Sequence, residues 1–240
     1  MGESTTIIAA LKFQGGVVIG ADSQASDPVA NVRWPVDKLE CLPGGHRCVI
    51  GFGGSMGKAQ QARDALEAKP LHDSQFKKRE LARNALDRCL ATIYQDIKKN
   101  NPQPTSPIWK ITLVGLGALW TEDEGQILEF EYNGDSCFHS NFHAIGSGAD
   151  TAYAVYRTLG GTRLSDLDEP KALLALIRIM RTCVNVEMQG VSEPVWFWIV
   201  GPNGARCASP DELQPQIQMV DKWEQLEQEA FFNDRWSLSD

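Results

Sequence analysis

The polar and apolar positions fall into blocks whose period switches between two and about three and a half residues. Ile7 to Phe13 is apolar and β-branched at its start, Gln14-Gly-Gly16 offers a turn, and Val17 to Ala21 resumes, which predicts a strand hairpin. The polar stretch Asp22 to Pro28 ends the second strand near Asp22. Leu39 to Leu42 and Arg47 to Phe52 read as two further short strands about Pro43-Gly-Gly45. The period then lengthens. Met56, Ala59, Ala62 and Leu66 predict a helix over Ser55–Lys69, and Leu81, Leu86, Leu90 and Ile93 another over Ser74–Lys99. Asn100 to Pro107 carries three prolines and reads as a loop. Strands return at Ile111–Leu119, Gln126–Tyr132 and Cys137–Ile145, and helices at Ala149–Leu159 and Glu169–Val186. Val195 to Val200 and Arg206 to Ala208 flank a Pro202-Asn-Gly204 turn, and Asp211 opens a last polar helix holding Trp223, Leu226, Phe231 and Phe232.

This order of strands, two helices, strands, two helices, strands and a tail helix predicts an α+β, four-layer αββα sandwich with a C-terminal helical extension. The unbroken apolar run Val195–Val200 is expected to be buried on both faces, as an inner layer under helices requires. No internal repeat or linker divides the chain.

Composition narrows the function. The chain has 240 residues, 42% of them hydrophobic and 22% charged, which excludes wholesale disorder. With 23 basic against 31 acidic residues the net charge is −8, which argues against nucleic acid or an anionic membrane as partner. No apolar run approaches the length of a membrane span, and Met1-Gly-Glu-Ser lacks the basic start of a secretory signal. A cytoplasmic location is therefore expected, and the scattered Cys41, Cys48, Cys89, Cys137, Cys183 and Cys207 agree with it. His139 and His143 stand four apart in what reads as one strand, hence on one face. With no third ligand nearby in sequence, no metal site and no cofactor are expected.

The candidate chemistry lies near the start. Thr6 precedes the first strand, Asp22 ends the second sixteen positions later, and Lys38 follows after sixteen more. The antiparallel hairpin returns Asp22 to the beginning of the first strand, so Thr6 and Asp22 can be neighbours. With this spacing, Thr5 to Ala25 resembles the opening of a proteasome β subunit and of the bacterial heat-shock-locus peptidase, both N-terminal nucleophile hydrolases. Ile50-Gly-Phe-Gly-Gly-Ser55 resembles the glycine loop of that family. Ala144-Ile-Gly-Ser-Gly148 with Ala152-Tyr-Ala-Val155 resembles its loop-to-helix serine motif. The likeness spans about residues 5 to 208 and is greatest to the betaproteobacterial proteasome homologue.

The resemblance implies a threonine-type endopeptidase in which removal of a short propeptide, residues 1–5, exposes Thr6 as nucleophile. The peptidase domain would run over 6–209 and the extension over 210–240. Lys38 and Asp22 would support Thr6, the N–H of Gly54 (or Gly53, one register away) would donate to an oxyanion, and Ser147 would bond near the nucleophile's amine. Asn185 is the positional match for a further supporting residue, with Glu187 as alternative. The partners implied are further copies of the chain in stacked hexameric or heptameric rings, unfolded polypeptide substrates and an ATP-dependent unfoldase. One departure is Thr5, where the family usually has glycine, which leaves open the Thr5 or Thr6 register and an unprocessed, catalytically silent ring subunit. The tail, with Trp223, Phe231, Phe232 and Trp236, is expected to serve assembly or gating.

Overall fold

Strand β1 (Ile7–Phe13) and strand β2 (Gly16–Asp22) form the expected hairpin. They lie at the centre of a five-stranded antiparallel sheet. The computed structural model describes residues 6–27, 32–42, 47–69, 71–100, 113–131, 133–186 and 193–232. Thr5, Tyr132, Glu187, Trp236 and the turn at Pro43-Gly-Gly45, all singled out in the sequence, lie outside these.

The remaining strands are β3 (Gln24–Asp27), β4 (Val32–Pro35), β5 (Leu39–Cys41), β6 (Cys48–Gly54), β7 (Leu113–Thr121), β8 (Glu124–Phe130), β9 (Ser136–His139), β10 (Phe142–Gly146), β11 (Val195–Gly201) and β12 (Gly204–Cys207). The helices are α1 (Met56–Glu67), α2 (Arg79–Asn100), α3 (Ala149–Thr158), α4 (Glu169–Val186) and α5 (Pro210–Phe232). The first sheet has the order β10-β1-β2-β11-β12 and the second β5-β6-β7-β8-β9, while β3 and β4 pair as a separate ribbon.

The period of two assigns each side chain to a layer. On β1, Ile8 and Ala10 face the second sheet, where they meet Val49, Leu116, Ala118 and Ile127. Ile7, Ala9 and Leu11 face the other way, onto Leu173, Leu176, Ile179 and Met180 of α4. On the outer face of the second sheet Ile50, Phe52, Leu128 and Phe130 pack under Ala62, Leu66, Leu86 and Leu90 of α1 and α2. The layers are helix, sheet, sheet, helix: the α+β αββα sandwich, with the extra helix α5 beyond it.

Three expectations need correction. The stretch Cys137–Ile145 is not one strand: it breaks at Ser140-Asn141, and its halves join different sheets. Phenylalanine and histidine on both sides of the break kept the alternation apparently continuous. In β11, Phe197 is buried but Trp196 is exposed and Trp198 half-buried, so the strand is not covered on both faces. The ribbon of β3 and β4 also goes against the sequence reading, which took the polar stretch Asp22 to Pro28 as the end of the second strand.

Helix α5 lies on its own chain. Val220 is fully buried beside Ile217 and Leu213, and Arg178 and Arg181 of α4 pair with Asp221, Glu224 and Glu227. Phe231 and Phe232 at its end stay 74% and 77% exposed.

Candidate active site around Thr6

Asp22 is where the site begins. It is the last residue of β2, and its carboxylate turns back over the start of β1. Oδ1 accepts the Ile7 backbone N–H at 2.9 Å and Oδ2 accepts that of Gln24 at 3.1 Å. The strand pairing Ile8↔Ala21 fixes this approach, so a hairpin of the right length brings Asp22 to Thr6 without a long-range fold.

Lys38 enters from the short segment before β5. Its Nζ donates to Asp22 Oδ1 at 2.7 Å, to Asp22 Oδ2 at 2.8 Å and to Thr6 Oγ1 at 3.1 Å. An ammonium has three protons, and each has an acceptor here. Thr6, Asp22 and Lys38 are all buried, at 1%, 0% and 5% exposure. Burial pulls Lys38 below the usual lysine value, against the opposing charge and hydrogen bonds of Asp22. Burial likewise pushes Asp22 upward, while Lys38 and the two backbone amides oppose it. Burial drives both groups towards neutrality, and the contacts between them hold the ion pair.

The other side of Thr6 rests on the turn after β10. Thr6 N donates to Ser147 Oγ at 3.3 Å, and Ser147 Oγ and Gly148 N both donate to the Thr6 carbonyl at 3.4 Å. Ser147 does not cap α3, whose N-cap is Gly148 without a side-chain bond. Gly146 sits at φ +97°, and a Cβ there would lie 2.0 Å from the Thr6 carbonyl oxygen. Only glycine permits this approach.

Gly53 runs along the third side: a Cβ added to it would meet Thr6 Cγ2 at 3.4 Å. Gly54 follows at φ +103°, at the end of β6 and just before Ser55 and α1. A backbone without side chains thus borders the threonine.

Asn185 is not part of this group. It is exposed on the last turn of α4, in a groove with Arg178, Thr182, Glu224 and Phe231 that faces α5. The physical reason is helical phase. Two residues along a helix turn the side chain by about 200°, and it is Cys183 whose Sγ reaches the Gly148 carbonyl, at 3.6 Å. The sequence reading missed Cys183, which the 3.6-residue period of α4 could have placed beside the serine turn.

Around Thr6 the described side chains form a hydroxyl, ammonium and carboxylate arrangement, not a metal-ligand set. The described metal-competent groups lie elsewhere and centre on Glu129.

Two facing antiparallel sheets between two helix layers, with Thr6 at the head of the central hairpin, form the fold of the N-terminal nucleophile hydrolases. A family model described as proteasome subunit matches residues 1–191. The chain belongs to the proteasome subunit family. It is 27% identical over 182 residues to a proteasome subunit beta of Acidothermus cellulolyticus, covering 75% of this chain and 58% of that protein. It is also 27% identical over 154 residues to one of Acidimicrobium ferrooxidans, covering 63% of this chain and 54% of that protein. The chain thus spans little more than half the length of these relatives. Among solved structures it is similar to an Anbu (Gly-1) mutant from Hyphomicrobium sp. strain MC1, with TM-score 0.72, 13% identity, and 94% and 96% of the two chains covered. Anbu (ancestral beta-subunit) from Yersinia bercovieri gives 0.70, 12%, and 95% and 97%. At such identities the likeness concerns the fold alone.

Proposed function

We propose that this protein is a threonine-type endopeptidase subunit of a self-compartmentalising, proteasome-like ring, with Thr6 as nucleophile. The observation that carries the reading is Lys38, whose buried ammonium bridges the Asp22 carboxylate and Thr6 Oγ1.

Thr6 N is a peptide nitrogen in the full chain, and an amide cannot act as base. Cleavage after Thr5 would free an amine, whose ordinary pKa is near 7.7. The Lys38 cation beside it would lower that value and enlarge the neutral fraction at pH 7. The amine would take the proton of Oγ1 while the oxygen attacks the scissile carbonyl, giving an acyl ester on Thr6. The amine's proton would pass to the departing peptide amine, and water would then hydrolyse the ester. Ser147 suits the role of holding the amine in place. The N–H of Gly54 or Gly53 would face the oxyanion, where a backbone without Cβ lets substrate approach.

Family membership supports assembly of several copies into stacked rings that enclose the Thr6 sites, with unfolded polypeptide as substrate and an unfoldase delivering it. The exposed Phe231 and Phe232 would find cover on a neighbouring subunit there. Thr5, in place of the family's usual glycine, favours a second reading: a subunit that stays unprocessed and silent.

Intact-mass measurement and peptide hydrolysis with the wild type and with Thr6→Ala test the first reading. Loss of residues 1–5 and activity in the wild type, with neither in the variant, is expected. If Thr5→Ala abolishes activity while Thr6→Ala is harmless, the nucleophile lies one residue earlier. If the wild type keeps residues 1–5 and is inert, the silent reading holds.

A further inference from the structure

Beyond the Thr6 site, a second polar cluster lies inside the sandwich, at the edge where the two sheets meet. We infer that Glu129, His139 and His143, with Cys137 as a fourth donor, form a binding site for one divalent transition-metal ion of the zinc type.

Strand pairing builds the cluster. On β8 and β9 the partners Glu129↔Cys137 and Ile127↔His139 place these four side chains on one face. That face is the inner one, because Ile127 belongs to the layer between the sheets while Leu128 and Phe130 belong to the helix side. On β10, Ile145 also points between the sheets, so His143, two residues away, enters the same layer from the opposite sheet.

The donor atoms converge. His139 Nε2 is 2.8 Å and His143 Nε2 3.0 Å from the same Glu129 oxygen, Oε2. Cys137 Sγ lies 3.3 Å from His139 Nε2 and 3.6 Å from Glu129 Oε2. Two imidazole nitrogens, one carboxylate oxygen and one thiol are the donor set of a tetrahedral zinc site, whose ligand atoms stand about 3.3–3.6 Å apart when metal–ligand bonds are about 2.0–2.3 Å. The two separations from Cys137 Sγ, 3.3 and 3.6 Å, match that spacing, and those from the histidines to Glu129, 2.8 and 3.0 Å, are shorter, so the ligands spread slightly around an ion.

An ordinary shared ion pair explains the cluster less well. His143 Nε2 is buried and, despite its distance to Glu129, is not directed for a hydrogen bond and has no other partner. The two rings stack at 3.5 Å with 13° between their planes, so one ring turns out of the stack when both Nε2 atoms take one ion. The far nitrogen of His143, Nδ1, is 2.6 Å from the Tyr153 hydroxyl of α3. When Nδ1–H donates to that oxygen, Nε2 carries the lone pair, the tautomer that outer partners impose on metal-bound histidines.

The ion would tie β8 and β9 of one sheet to β10 of the other. Strand β10 ends at Gly146, directly before Ser147, which holds Thr6. The site is therefore a clamp on the strand that seats the threonine.

The test uses the full chain, stripped with chelator, dialysed against zinc ion, desalted and assayed by elemental analysis and thermal unfolding. One equivalent of zinc per chain is expected, with a Tm raised by roughly 5–10 °C at zinc a hundredfold above its Kd. His143→Gln and His139→Gln should each weaken binding at least tenfold, and His72→Gln, an exposed histidine in another region, should not. Cobalt ion gives a readout independent of stability: its thiolate charge-transfer band should appear in the wild type and vanish in Cys137→Ser. Less than a tenth of an equivalent bound, or full binding retained in His143→Gln, overturns the site; cobalt bound without a thiolate band removes Cys137 from it.

Discussion

Among the described residues, the charges beside Thr6 and those between α4 and α5 pair by the same chemistry in opposite surroundings. At Thr6, Lys38 and Asp22 have side chains 6% and 0% exposed, and every proton of the ammonium is directed at an acceptor. Along the seam of α4 and α5, Arg178 and Arg181 meet Asp221, Glu224 and Glu227, with acidic side chains 25–58% exposed. Water can solvate the second set when a partner leaves, and cannot easily reach the first. The buried pair therefore adds little net stability relative to an apolar pair, yet losing one member strands the other. The seam is weak glue that tolerates loss. An arrangement that costs desolvation and gains little stability is better explained by what it does to the Thr6 hydroxyl than by folding.

The comparison is sharpest when one partner of the buried pair is removed. Asp22→Ala leaves the Lys38 charge buried and takes the acceptor from the Ile7 and Gln24 amides. A loss of about 3–5 kcal/mol in urea-measured stability is expected, together with loss of peptidase activity. If stability changes by less than about 1 kcal/mol, water reaches Lys38 and the contrast between the two clusters collapses.

The next effect concerns the seat of Thr6. Gly146→Ala would put a Cβ 2.0 Å from the Thr6 carbonyl, at a positive φ. The strand end must shift, so activity should fall by at least tenfold with a stability loss of about 1–3 kcal/mol. Wild-type activity in this variant would mean that the turn adapts without moving the threonine.

How much of this was legible in the sequence follows from the same contrast. Asp22 could be read because a tight hairpin converts a spacing along the chain into a distance in space. Ser147 and Gly146 could be read from the resemblance carried by Ala144 to Gly148. Asn185 was misplaced because a position near the end of a long helix says little about which face it occupies, and the structure turns it towards α5. Glu129 was invisible beside His139 and His143, since only the cross-strand register of β8 and β9 joins them. The β3–β4 ribbon escaped because the sequence of β3 is mostly polar, and backbone pairing alone leaves no hydrophobic signature. The sandwich itself was legible because each strand and helix buries a face at its own period.

A pH measurement probes the buried pair without mutation. Burial holds the Lys38 pKa below the ordinary 10.5, and Asp22 opposes the shift. In the proposed reaction Lys38 works as a cation, so activity is present below its folded-state pKa and lost as pH rises through it. The alkaline limb of kcat/KM should therefore fall below pH 10.5, on the side set by that shift. A limb at or above 10.5 would mean that desolvation does not dominate at Lys38.

The smallest effect belongs to the seam. Glu227→Gln removes a carboxylate, 51% exposed, that accepts from Arg178 Nη2 at 2.7 Å, while Glu224 stays on the same guanidinium. With the remaining partner and water both available to Arg178, the loss should be within about 1 kcal/mol and shrink further in high salt. By contrast, Val220→Ala on the buried side of α5 should cost about 1–2 kcal/mol and keep its effect in salt, because it removes apolar contact and not charge. Urea unfolding of the two variants at low and high salt separates the cases. If Glu227→Gln costs more than Val220→Ala, the helix is held by its charges after all, and the seam resembles the Thr6 pair more than the exposures indicate.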